Sequence, residues 1–135
     1  MRIFRTCITA IAISGCGEPA PDLSLGQRVY ALHCAACHGA KLEGQPDWRQ
    51  RLPNGRMPAP PHDDSGHTWH HPDEVLFGIT KQGLVPPYAP PGYDSDMPGF
   101  AGKLSDSEIR AVLVYIASHW SREVRKHRAE MLTRR

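Results

Sequence analysis

An all-α fold of three or more short helices and proline-rich loops is what this sequence predicts, and three observations predict it. Apolar residues recur at helical spacing behind recognisable helix starts. No run of alternating β-branched residues reads as a strand. Two stretches, PNGRMPAPP at 53–61 and VPPYAPPGYDSDMP at 85–98, carry too much proline to continue a helix.

The elements follow in chain order. Ser24-Leu25-Gly26-Gln27 reads as a capping box, the serine taking first-turn N–H groups and the glutamine reaching back. Behind it Leu25, Val29 and Leu32 recur at helical spacing and carry the chain into Cys34 and Cys37, with Gly39 as the stop. A second helix starts at Pro72, with Asp73 and Glu74 in its first turn and Lys81 near its end, and stops at Gly83. Here His71, just ahead of Pro72, is a candidate N-cap. The strongest helix signal is the last. Ser105-Asp106-Ser107-Glu108 is a capping box, followed by an apolar stripe of Ile109, Val112, Leu113, Ile116, Ala117 and Trp120.

The N-terminus has a different character. Arg2 and Arg5 precede an apolar run from Thr6 to Ile13, too short to cross a bilayer but the length of a signal-peptide core. Ile13-Ser14-Gly15-Cys16 resembles a bacterial lipobox, in which the cysteine is lipidated and becomes the new N-terminus. An ordinary cleaved signal is the other reading. The organisation expected is a signal peptide at 1–15, a tether at 16–23, one domain at 24–121 and a basic tail at 122–135. The mature protein is expected on the periplasmic side of a bacterial membrane, held by lipid on Cys16.

Loss of Arg2 and Arg5 lowers Lys+Arg from 16 to 14, against 14 acidic residues, so the mature chain is formally neutral. Residues 122–135 hold six basic and two acidic residues, an excess of +4, which leaves −4 for the rest. That distribution does not describe a nucleic-acid binder. The tail reads as a solvated lengthening of the last helix, or as a surface for anionic lipid or an acidic partner.

The chemistry concentrates in HCAACHG, residues 33–39. Cys34 and Cys37 share one face of a helical turn, with His38 beside them. A disulfide redox pair leaves His38 without a task. Zinc would want a fourth ligand, and the chain has no second cysteine pair. Covalent haem attachment uses all three residues: two thioether bonds fix the porphyrin and the adjacent imidazole ligates its iron. A large flat cofactor also accounts for the loops, because helices this short bury little apolar surface on their own. The prediction thus becomes helices and proline-rich loops wrapped around one covalently bound haem. No nucleophile constellation or phosphate-binding loop is present.

From Ser24 to Trp120 the chain resembles the class I c-type cytochromes, through Gly26 and Tyr30 ahead of Cys34-Ala-Ala-Cys37-His38, the Met97-Pro98 pair and the closing helix LSDSEIRAVLVYIASHW. The resemblance implies the cytochrome c fold, one haem c, and a tight crossing of first and last helices at Gly26, with Tyr30 and Tyr115 nearby. The sixth iron ligand is open among Met57, Met97, His62, His67, His70 and His71. Met97 leaves enough chain to cross from one haem face to the other and stands where the family carries its ligand, so it is preferred. Met57 follows His38 more closely and reads as a loop residue at the haem edge. The resemblance also makes Arg56, His67 and Trp69 candidate haem propionate contacts. A copper site at His67, His70 and His71 is the alternative use of that stretch.

A His/Met iron has no open position for substrate, so the expected function is single-electron transfer between redox partners such as a dehydrogenase, an oxidase or a copper protein, rather than catalysis. The alternatives are a haem enzyme or gas sensor with an open sixth position, and a cytochrome subunit of a larger oxidoreductase complex.

Overall fold

The computed structural model describes residues 22–134; the signal segment and Cys16 lie outside the described residues. Helices α1 (Leu23–His33), α2 (Ala35–His38), α3 (Asp73–Gln82), α4 (Asp106–Ser118) and α5 (Arg122–Thr133) appear in order, with a 3-10 turn at Thr68–His70. No strand occurs among the described residues, and no helix there is long and apolar enough to cross a membrane.

Helices α1, α4 and α5 begin where a side chain accepts from their free N–H groups. Helix α1 is capped by Asp22 rather than Ser24: its carboxylate accepts from the backbone N–H groups of Ser24 and Leu25 at 2.9 and 3.1 Å. An ionised acceptor at a helix N-terminus outcompetes a hydroxyl. Indeed the Ser24 hydroxyl itself donates to Asp22, at 2.7 Å. The expected box at Ser105 is present, with Ser105 Oγ accepting from the Glu108 N–H and Glu108 Oε2 accepting from the Ser105 N–H. The N-cap position of α3 is Pro72 rather than His71, the residue expected there, and Pro72 makes no side-chain cap bond. Gly39 and Gly83 end α2 and α3 at φ 82° and 86°, the region that glycine enters without strain.

Helices α1 and α4 cross, and α3 packs on α4. The buried face of α1 is Gly26, Val29 and Tyr30, whereas Leu32 of the predicted stripe is 77 % exposed. The cause is Gly26: a Cβ there would stand 2.2 Å from the Ala111 carbonyl oxygen, so the helices approach at that point and α1 turns its flanks accordingly. Against this seam pack Ile109, Val112, Ile116 and Trp120 from the α4 stripe, with Leu42, Phe100 and Leu104 from the loops. Burial of each such side chain contributes about 1.5–3 kcal/mol.

The basic tail does not lengthen α4. The chain turns after Trp120, and Ser121 caps a new helix by accepting from the Val124 N–H at 3.1 Å. Asp64 holds the turn by accepting from the Ser121 N–H at 3.0 Å. Helix α5 then returns over the 3-10 turn, where Arg128 donates to the His71 carbonyl at 2.7 Å and to Asp73 at 2.9 Å.

Candidate haem site

A cavity of about 510 Å³ opens between α1–α2, α3, α4 and the two proline-rich loops. That is the size of a pocket for a cofactor-sized ligand. Its walls include Cys34, Cys37 and His38 together with Met57, Met97, His62 and His67. Arg56, Trp69 and His70 are not among the wall residues. Trp69 donates its indole N–H to the Asp64 carbonyl at 3.4 Å, and its ring meets His70 and His127.

The attachment motif sits at a break between helices. Helix α1 ends at His33, Cys34 occupies the corner, and the turn of α2 carries Cys37 and His38. Burial pushes the Cys34 thiol up to about 11, with the nearby Cys37 adding to the rise. A disulfide-exchange pair needs a depressed thiol pKa. Cys34 has the opposite setting.

His38 is oriented by the backbone. Its Nδ1 lies 2.8 Å from the Pro60 carbonyl oxygen. A carbonyl only accepts, so Nδ1 carries the proton and Nε2 keeps the lone pair that a metal requires. The acceptor is itself fixed: Gln45 and Ala59 bond reciprocally, the Gly44 N–H donates to the His38 carbonyl at 2.8 Å, and a Cβ at Gly44 would meet Pro61 N at 2.4 Å. From the other side the buried Tyr30 hydroxyl donates to the Gly39 carbonyl at 2.8 Å. Desolvation lowers the His38 pKa, which also favours the neutral imidazole.

His62 lies flat against this ring, with centroids 3.9 Å apart and planes inclined by 19°. Its Nδ1 is 2.8 Å from Thr68 Oγ1, and its carbonyl accepts from the Trp120 indole N–H at 2.9 Å. Burial, with the His38 ring close by, pushes its pKa well below the ordinary histidine value. His67 meets Trp48 and His71 at ring distances of 5.3 and 5.7 Å. Among the described residues, no group of three or more His, Cys, Asp or Glu is arranged to hold a metal ion, so the copper alternative gains no support.

Met97 reaches the cavity from a loop anchored at its base. The Phe100 and Ala101 N–H groups donate to the Thr80 and Lys81 carbonyls, and a Cβ at Gly99 would meet the Gln82 carbonyl carbon at 2.7 Å. The Met97 N–H donates to Ser95 Oγ at 3.1 Å. Arg56 stands on the facing loop and donates from Nε to Asp94 at 2.9 Å and from Nη1 to Asp96.

Sequence reasoning brought Cys34, Cys37, His38 and Met97 to one cavity but missed Pro60, Trp48 and the stacking of His62. A proline run close behind a metal-ligand histidine was the one signal for the first; aromatic and imidazole stacking leave none. The residues fit a covalently held haem: two thiols on the wall of a cavity of suitable size, an imidazole with a free Nε2, and two thioethers. No curated protein and no solved structure gives a significant match to this chain. A family model described as cytochrome c matches residues 23–120, from the start of α1 to Trp120. With the attachment motif, the all-helical wrap and the oriented imidazole all inside that span, the chain belongs to the cytochrome c family, as a class I c-type cytochrome that binds covalently attached haem c.

Proposed function

We propose that this haem-binding electron-transfer protein carries single electrons with its iron held between His38 and Met97. The bound haem supplies a one-electron ferric/ferrous couple, and thioether ligation favours the ferrous state and raises the potential. Cys34 and Cys37 hold the porphyrin, and the Pro60 carbonyl keeps the His38 Nε2 directed at the metal. The observation that carries the reading is this hydrogen bond, since it selects the tautomer that can ligate.

The position of His62 supports Met97 as the opposite ligand. An imidazole stacked on the His38 ring shares that wall of the cavity, so a second iron ligand would come from another wall. Met57 also lines the cavity, on the segment that carries the Pro60 acceptor. Met97 comes from the separate loop between α3 and α4. Partners of the expected kind are a dehydrogenase, an oxidase or a copper protein, met by a domain exported and lipid-anchored through Cys16.

The ferric spectrum tests the ligand set. Met97→Ala should abolish the methionine–iron band in the near infrared, and Met57→Ala should leave it. A band lost with Met57 instead would assign the ligand to that loop. A high-spin spectrum in the unsubstituted protein would support the enzyme or sensor alternative.

A further inference from the structure

One guanidinium ties together the two loops that face each other across the cavity. Arg56 stands on the segment that carries the Pro60 carbonyl, the group that orients His38. Its two acceptors, Asp94 and Asp96, stand on the loop that carries Met97. Asp96 is the immediate neighbour of Met97, and Ser95, between the two carboxylates, accepts from the Met97 N–H at 3.1 Å. Four consecutive residues are therefore organised by one arginine and one hydroxyl.

Both sides of the link are prepared. Arg56 is set by a tight turn: its own N–H donates to Asn54 Oδ1 at 3.0 Å, its carbonyl accepts from the Leu52 N–H at 2.9 Å, and Gly55 supplies the φ of 83° that the turn requires. On the other side, the Met97 loop is tied at its base to the end of α3 and contains Pro86, Pro87, Pro90, Pro91 and Pro98, which cannot donate to a neighbour. Its stretch nearest Met97 is thus short of backbone anchors, and Arg56 supplies the side-chain one. From this geometry we propose that Arg56 is a positioning residue, clasping the Met97 loop through Asp94 and Asp96 so that the thioether stays in the site.

The inference rests on the reading that Met97 ligates the iron. It assigns Arg56 a task distinct from a propionate contact, because two of its nitrogens already serve the carboxylates. Arginine suits the position, since a lysine presents a single point charge and cannot engage two separate carboxylates with a rigid fork. The pairs are partly exposed, 36 % for Arg56 against 64 % and 57 % for the aspartates, so salt screens the clasp.

Imidazole titration of the ferric, full-length holoprotein tests it, because imidazole binds the iron only after the thioether leaves. Arg56→Gln and the double variant Asp94→Asn/Asp96→Asn should each tighten apparent imidazole binding about three- to tenfold, the range that two exposed ion pairs supply. Arg56→Lys should fall between them and the unsubstituted protein. Raising salt from 0.1 to about 1 M, where the screening length falls to about 3 Å, should tighten imidazole binding to the unsubstituted protein and leave Arg56→Gln unchanged. Unchanged affinity in both variants, with Met97→Ala abolishing the methionine band, would overturn the clasp and leave the ligand assignment standing. A band that survives Met97→Ala would remove the ligand assignment and the clasp with it. If Arg56→Gln fails to assemble, the aspartate double variant decides alone.

Discussion

Gly26 and Ala111 lie backbone to backbone: a Cβ on the glycine would stand 2.2 Å from the Ala111 carbonyl oxygen and 2.7 Å from Tyr115 Cβ. This is the point where α1 and α4 cross, and the cavity for the haem opens beside it. Gly26→Ala should destabilise the holoprotein by about 1–3 kcal/mol, the cost of overpacking a seam that cannot open freely. Gly26→Val should cost more and lower the yield of haem-loaded protein. Denaturant unfolding measures both, and an alanine variant as stable as the parent would refute the tight crossing.

Tyr30 is 2 % exposed and its hydroxyl is the donor to the Gly39 carbonyl behind the proximal histidine. Tyr30→Phe keeps the ring and removes one of two donors to that carbonyl, leaving the Leu42 N–H at 3.2 Å. The expected loss is about 0.5–1.5 kcal/mol, the net worth of one intramolecular hydrogen bond. The haem should stay attached, since neither thiol is affected. The denaturation midpoint should fall at an unchanged slope; a full-strength midpoint would mean that water replaces the donor.

Acid should weaken the cap of α4. The Ser105 backbone N–H and hydroxyl donate to the Glu108 carboxylate at 2.8 and 2.7 Å and hold its pKa below the usual glutamate value of 4.5. The unfolded chain therefore takes up this proton first as pH falls. The stabilisation is complete above the unfolded value and is lost as pH falls through the folded one. Glu108→Gln removes the titration, so its stability deficit should be largest at neutral pH and shrink toward zero in acid. A deficit that stays constant with pH would show that the charge plays no part.

Arg128 ties α5 to the domain through the His71 carbonyl and Asp73, and its side chain is only 12 % exposed. Asp73 is 79 % exposed, so that pair contributes little and most of the anchoring comes from the carbonyl bond and the cover over Trp120. Arg128→Ala should lower stability by about 1–2 kcal/mol. High salt should change the loss little, because screening acts mainly on the exposed pair. Protease cleavage within α5, compared between variant and parent, gives an independent readout. Equal cleavage and equal stability would return the tail to the solvated role expected for it.

The chain announced its helices through their ends and its cofactor through three residues. Ser105 and Glu108, the stripe from Ile109 to Trp120, and Pro72 with Gly83 are local devices, and local chemistry suffices to start and stop a helix. Cys34, Cys37 and His38 act within one turn, so their spacing points to the chemistry, which the loops and the family resemblance complete. One local competition escaped the motif: Asp22 displaced Ser24 as the cap of α1, because a carboxylate is the better acceptor. Tertiary structure decided what depends on distant chain segments meeting. Pro60 became the partner of His38, His62 its stacked neighbour and Arg56 the link to Asp94 and Asp96 only once two loops closed over one cavity. The basic tail turned back because Asp64 and the His71 carbonyl were waiting across the fold. Spacing along a chain encodes one turn of geometry, whereas a carbonyl's partner or a ring's neighbour is set by packing, which sequence periodicity does not contain.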